Sequence, residues 1–390
     1  MNKRPLHFST QLAHAGMHMP LPDARPHAPP LYQTAGFEYD DAAGAEEAAL
    51  GKRYLYARDA SPNEDALGRA VAALEGAEAA VVFASGMGAI AAALESYLGD
   101  GAHLVTVDGL YGGSHELIAG VMPHFGARHA FVSAATAAAI EPAIGPATRA
   151  VFVESISNPL LRVAELDQIG ALCRRRNVAL LVDATFATPL LQRPLEQGAT
   201  LSIHSGTKYI SGHGDVMCGV VSGAAVEIAK VRKLRKFHGA NCDPFGAWLA
   251  LRGLRTLALR LERQVATAAR VATALQAMKG VERVHYPGLE SHPDHALARR
   301  VLGGFGAMVS FEVAGGLDGA RRVYDRLGVI ARAASLGDLT SLMTHPARFS
   351  HVRLSPDERR RGGIEDGLLR LSVGIEDPAD LIDDLQHALG

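Results

Sequence analysis

From Asn63 to Ser222 the chain alternates short apolar runs with stretches of helical period, and this alternation restricts the fold more than any single motif does. The apolar runs are 79–83, 103–107, 150–154, 179–183, 201–204 and 216–222. Helical periodicity falls on 63–74, 88–98, 115–124, 166–175 and 189–197. Strands that are apolar on both faces belong in a largely parallel sheet covered by helices on both sides. The pattern predicts an α/β core domain. It does not fit a nicotinamide-binding Rossmann enzyme, because no first strand leads into a Gly-x-Gly-x-x-Gly turn with a following acidic residue.

The flanking segments read differently. Residues 1–60 are rich in proline and irregular, with one short helix expected around 41–50, and have no core of their own. They are expected to form an arm lying on another surface. A long amphipathic stretch, 245–278, reads as a connecting helix, and 281–285, 307–313 and 370–373 read as strands of a smaller α+β unit. The expected division is therefore an arm (1–60), a large α/β domain (61–245), and a connecting helix with a C-terminal α+β domain (246–390).

Composition removes several classes of function. A formal charge of −2 in 390 residues supplies no global field for nucleic acid or an anionic membrane. The basic runs 230–236 and 359–361 are expected to be solvated faces. The longest uncharged run, Ala79–Leu94, is shorter than the ~20 residues a bilayer needs and is interrupted by Ser85, Gly86 and Gly88. Cys173, Cys218 and Cys242 have no Cys-x-x-Cys spacing and suit reduced thiols in a cytoplasmic enzyme. His292 with His295, and His345 with His351, lack a third convergent ligand, so no metal site is expected.

In open α/β sheets ligands bind beyond the carboxyl ends of the strands, so the residues just past each apolar run matter most. After 79–83 come Ser85, Gly86, Met87 and Gly88, a turn that opens a helix and can accept an anion on unsatisfied N–H groups. Past 103–107, Tyr111 sits before Gly112 and Gly113 and can stack on a planar ring. Asn158 follows 150–154 in a rigid turn. Asp183 ends an apolar run, where a buried carboxylate calls for a cationic partner such as a protonated ring nitrogen. Ser205, Thr207 and Lys208 follow 201–204, and a lysine leaving an apolar segment is readily desolvated into a nucleophilic amine. Phosphate cradle, stacking ring, carboxylate and amine together are what pyridoxal 5'-phosphate requires.

These residues, with Tyr56 and Arg58, Ser335 to Gly337, His345 and Pro346, and Leu369 to Gly374, make nearly the whole chain similar to the cystathionine and methionine metabolism (trans-sulfuration) family of pyridoxal-phosphate enzymes. The resemblance implies the aspartate-aminotransferase fold, fold type I, and a homotetramer of two active dimers. It implies that Lys208 anchors the cofactor aldehyde, Asp183 holds the ring nitrogen, Tyr111 stacks, and Asn158 meets the phenolic oxygen. Gly86, Met87, Ser205 and Thr207 would hold the phosphate from one subunit, and Tyr56 and Arg58 from its neighbour. Lys208 and Tyr111 would carry protons, while Arg370 and Ser335 would take the substrate carboxylate.

The reaction so implied is γ-elimination or γ-replacement on sulfur amino acids or homoserine derivatives, with O-acyl-homoserine sulfhydrylase or β-lyase chemistry as the alternative. A cofactor-binding homologue without turnover is the reading from another class. Three positions depart from the family pattern. Thr340, expected to contact the substrate, stands where cystathionine-handling relatives commonly place glutamate against the distal amino group of the substrate. Gly113 replaces a cysteine typical of methionine γ-lyases, and Ala184 replaces an asparagine.

Overall fold

A computed structural model describes residues 24, 26–349, 352, 357, 359 and 362–390. Much of the expected N-terminal arm, together with His351, Arg360 and Arg361, lies outside the described residues. Contacts divide the chain into Met1–Leu31 and Tyr32–Gly390, and all described helices and strands belong to the second unit.

The larger sheet has seven strands: β1 (Ala79–Phe83), β2 (His103–Val107), β3 (Arg128–Val132), β4 (Thr148–Glu154), β5 (Ala179–Asp183), β6 (Leu201–His204) and β7 (Gly219–Gly223). Their order is β1-β7-β6-β5-β4-β2-β3. Strands β2 to β6 pair in parallel, whereas β7 is antiparallel to both β1 and β6. The reason lies in the connection: residues 205–218 return from β6 to β7 with no crossover helix, and only an antiparallel partner can be reached that way. Because β1 and β6 both oppose β7, β1 points the same way as β2 to β6. The carboxyl ends of β1, β2, β4, β5 and β6 therefore share one edge.

The strands are buried along nearly their whole length, and successive side chains point to opposite covered faces, as a doubly covered sheet requires. Val81 and Phe83 of β1 and Val221 of β7 join the cluster around Ala89, Ile90, Ile228 and Val231. Val82 and Val220 face the other way, onto Leu67, Val71, Ala247 and Ala250. The helices Gly86–Glu95 and Ala225–His238 thus cover one face and Pro62–Glu75 and Pro244–Leu254 the other.

A second sheet has the order β10-β11-β12-β9-β8, built from β8 (Val281–His285), β9 (Met308–Val313), β10 (Ala331–Arg332), β11 (Leu342–Thr344) and β12 (Leu368–Ser372). It packs on the helices Leu257–Ala277, Gly316–Arg326 and Pro378–Leu389 around Val271, Leu275, Phe311, Leu371 and Leu385.

Four expectations need correction. The stretch 245–278 is two helices, Pro244–Leu254 and Leu257–Ala277, because the Gly253 carbonyl accepts from Arg260 at 2.9 Å and from the Thr256 hydroxyl at 3.1 Å instead of continuing the helical ladder. Strand β3 was not expected. It opens on Arg128 and His129 at the edge of the sheet, so its polar, half-exposed residues carry no buried-strand signature. Residues 112–125 are helical in three successive pieces, α, π and 3-10, rather than as one helix. The basic run 230–236 is not wholly solvated, since Arg235 is buried against Glu64.

Among the described residues no helix is long and apolar enough to cross a membrane, and no three histidine, cysteine, aspartate or glutamate side chains gather as a metal site. All three cysteines are buried free thiols.

Candidate active site

The shared edge of carboxyl ends opens into a cavity of about 450 Å³ that also reaches the second sheet. Of the residues singled out in the sequence, Gly86, Met87, Tyr111, Asn158, Asp183, Ser205, Thr207, Lys208, Ser335 and Arg370 all line it. Tyr56, Arg58 and Thr340 do not. Tyr56 and Arg58 are exposed and pack on one another, with the guanidinium carbon 5.2 Å from the ring centroid, and Thr340 is exposed.

At the end of β1, the Ser85 hydroxyl accepts from the Gly88 N–H at 3.1 Å and caps the helix Gly86–Glu95. Glycine at 86 lets this turn meet the loop after β6, because a Cβ there would stand 2.7 Å from the Ser205 Cβ. The two candidate anion-binding segments are thereby brought together. The Thr207 hydroxyl is engaged locally, accepting from the Cys218 N–H at 3.0 Å and donating to its carbonyl at 3.2 Å.

Strands β4 and β5 end on carboxylates in register, Glu154 beside Asp183. Asp183 accepts from the Thr185 N–H at 2.9 Å and from its hydroxyl at 2.5 Å, and Thr185 in turn accepts from the Ser205 N–H at 2.8 Å. Glu154 accepts from the Tyr111 N–H at 2.7 Å, which ties the loop after β2 to β4. Burial raises both acids. Glu154 is pushed up to about 8 by burial and then by the neighbouring Asp183, while the two Thr185 donors work against the rise at Asp183. Two adjacent buried carboxylates cannot both ionise at low cost, so the pair is biased towards keeping one proton between them.

This pair has a measurable consequence. The folded value for Glu154, about 8, lies above its unfolded value of about 4.3, so the folded chain binds more protons between those limits. The stability tied to this group is present in full below the unfolded value and is lost as pH rises through about 8. Cofactor-free protein is therefore expected to lose melting temperature as pH rises from about 5 to about 8, and Glu154→Gln to flatten that slope; equal slopes in thermal melts would contradict the assignment.

Lys208 and Arg370 approach from opposite sheets. Gly337, at φ +76°, lets the 335–337 segment pass close to Tyr209, where a Cβ would lie 2.7 Å from the Tyr209 nitrogen. Ser335 is thereby delivered to Lys208, whose Nζ donates to the Ser335 hydroxyl at 3.0 Å. Arg370 on β12 donates to the Asn158 Oδ1 at 2.8 Å, the Ser335 carbonyl at 3.2 Å and the Thr344 hydroxyl at 3.3 Å. Its Nε is buried with no partner. Burial lowers Arg370 to about 10, and burial followed by the Arg370 charge lowers Lys208. The cavity thus holds one fixed cation with an unsatisfied donor and one amine biased towards its neutral form.

Sequence reasoning missed Glu154, Thr185 and Thr344 as cavity residues, as well as the apolar wall of Ile90, Phe186, Met217 and Phe349. Glu154 carried a usable signal, a carboxylate closing an apolar run just as Asp183 does. The apolar wall carried none, because its members come from unrelated segments.

A model of the family described as Cys/Met metabolism PLP-dependent enzyme matches residues 9–390. The chain belongs to this family. It is a pyridoxal-phosphate enzyme with the fold type I architecture. Over 395 residues, 100% of this chain and 98% of the relative, it is 40% identical to L-methionine gamma-lyase of Pseudomonas putida. O-succinylhomoserine sulfhydrylase of Pseudomonas aeruginosa is also 40% identical, over 93% of this chain and 91% of that protein. Cystathionine gamma synthase from Xanthomonas oryzae pv. oryzae, solved in complex with aminoacrylate and cysteine, superposes with a TM-score of 0.88 at 38% identity, covering 93% of this chain and 92% of that one. Family members at equal identity carry lyase and sulfhydrylase names, so overall identity does not select between these reactions.

Proposed function

We propose that this enzyme eliminates or replaces the γ-substituent of a sulfur amino acid or a homoserine derivative. The observation that carries the reading is the convergence of Lys208, Asp183 and the incompletely satisfied Arg370 in one cavity. The residues fit the cofactor. The capped turn at Gly86 and Met87, with Ser205 and Thr207, would hold the phosphate. The buried Asp183 carboxylate would meet the ring nitrogen, Tyr111 would cover the ring, Asn158 would meet its phenolic oxygen, and Lys208 would take the aldehyde.

When bound, the cofactor supplies an electron sink for the bonding pair released at the substrate Cα. The protein does the rest. Arg370 orients the substrate carboxylate as the fixed cation of the cavity, with Ser335 beside it. Lys208, lowered by burial, can take the Cα proton, and Tyr111 with Lys208 can move protons at Cβ and to the leaving sulfur or oxygen. Water as the second reactant gives a 2-oxo acid and ammonia, and a thiol gives a thioether.

An assay with cystathionine, methionine, and an O-acyl-homoserine offered with cysteine or sulfide separates the outcomes. Four-carbon 2-oxo acid is expected from elimination, and from replacement a thioether with cysteine or homocysteine with sulfide. A three-carbon product from cystathionine would establish the β-lyase alternative, and no turnover of any substrate by cofactor-loaded protein would reject the enzyme for this substrate class.

The exposed positions of Tyr56 and Arg58 support a site completed by a second copy of the chain, in a homotetramer of two active dimers. The three buried, unbridged cysteines favour a cytoplasmic setting.

A further inference from the structure

Away from the cavity, the helix Pro62–Glu75 and the helix Ala225–His238 share a charged pair that is almost wholly buried: Glu64 is 2% exposed and Arg235 1%. Arg235 Nη1 donates to Glu64 Oε1 at 3.0 Å and to the Val82 carbonyl at 3.3 Å. Its Nη2 donates to the carbonyls of Asp59 at 2.5 Å and Arg58 at 3.4 Å. Glu64 Oε1 also accepts from the Cys242 N–H at 2.8 Å. Lys236, the next residue, holds the Asp59 carboxylate at 2.6 Å. The guanidinium thus gathers the backbone just after Tyr56 and the end of β1, while its Glu64 partner holds the segment that follows the helix Ala225–His238.

Stability alone does not account for such a pair. Desolvating two charges consumes most of their attraction, and apolar residues of like volume are often as stable. What an apolar replacement cannot do is hold two successive backbone carbonyls in a set direction, which the rigid five-donor fork of arginine does. The carbonyls so held belong to Arg58 and Asp59, and the Arg58 side chain with Tyr56 points outward, clear of the cavity of its own chain.

We propose that Glu64 and Arg235 are positioning residues that fix the 56–59 backbone so that Tyr56 and Arg58 are presented to the cofactor site of a second copy of this chain. The inference rests on the shared-site reading above. It assigns Arg235 to the neighbour's site and not to its own, although Val82 leads into the Ser85 turn of the same chain.

Hybrids of two differently tagged chains, co-expressed and purified through both tags, test this. Arg235→Met alone is expected to retain the cofactor about 10- to 100-fold less tightly on dialysis, the scale of one lost hydrogen bond to a charged group. In the hybrid of Arg235→Met with Lys208→Ala, one site combines Lys208 of the first chain with the intact 56–59 segment of the second. That site should bind with wild-type affinity and show half the visible cofactor absorbance of a wild-type dimer. If it stays as weak as in Arg235→Met, Arg235 acts within its own chain and the proposal is overturned.

The hybrid of Arg58→Ala with Lys208→Ala isolates the reading beneath. Recovery there without recovery for Arg235→Met rejects the positioning role alone, whereas recovery in neither rejects the shared site. Should Arg235→Met fail to fold, Arg235→Lys keeps the charge but not the fork. The same one-sided loss is then expected, and wild-type retention in homomeric Arg235→Lys would overturn the proposal.

Discussion

Lys208→Ala is expected to abolish the visible absorbance of the bound cofactor and to lower kcat by about four orders of magnitude, the upper range for removal of a positioned proton carrier. The expectation follows from where the amine sits. It is delivered by β6 to the same edge as Asp183, held 3.0 Å from the Ser335 hydroxyl, and pushed towards its neutral form by burial and by Arg370. Its neutral form gains in the folded state, so stability tied to this group is present above the unfolded value and is lost as pH falls through the lowered folded one. Borohydride reduction followed by peptide mapping locates the anchor. Label on a peptide containing Lys208 in the parent protein, and none in the variant, is the expected result; label at another lysine would overturn the assignment.

Arg370→Ala is expected to lower kcat/KM about 10²- to 10³-fold, chiefly through KM, since truncating one member of a buried charge contact costs about 2–5 kcal/mol. The guanidinium is the fixed cation of the cavity, and its Nε has no protein partner to satisfy it. In the proposed reading a substrate carboxylate would supply one. Arg370→Lys should recover little, because a single ammonium cannot serve Asn158, Ser335, Thr344 and a carboxylate in the directions now used. The Asn158 Oδ1 and Ser335 carbonyl would also lose donors in Arg370→Ala, adding about 1–3 kcal/mol of lost stability. Steady-state kinetics on the best substrate, beside thermal melts, separates the two effects. Unchanged KM with a collapse of kcat alone would assign Arg370 to the chemical step instead.

Much of this site is legible in the sequence because parallel strands place their ends together. Once 79–83, 179–183 and 201–204 were read as strands, Ser85, Asp183 and Lys208 had to share an edge, whatever the detailed packing. Residues from the second sheet were legible only through family resemblance. Nothing local to Arg370 or Ser335 shows that β12 and Gly337 carry them to Lys208, about 130 to 160 positions away in sequence. Strand β3 and the break after Leu254 escaped for a related reason. Each is set by a partner, the sheet edge in one case and Arg260 in the other, rather than by its own periodicity.

By itself, then, the sequence determined the α/β alternation, the identities of the chemical groups at the strand ends and the membership of the chain in its family, because these depend on residue type and short-range order. Only the tertiary structure decided that Glu154 and Asp183 are buried side by side, that Arg370 retains an unsatisfied donor, and that a lysine-arginine run hides a buried strut at Arg235. Those properties arise from desolvation and from distances between segments far apart in the chain, and neither exists until the chain has folded.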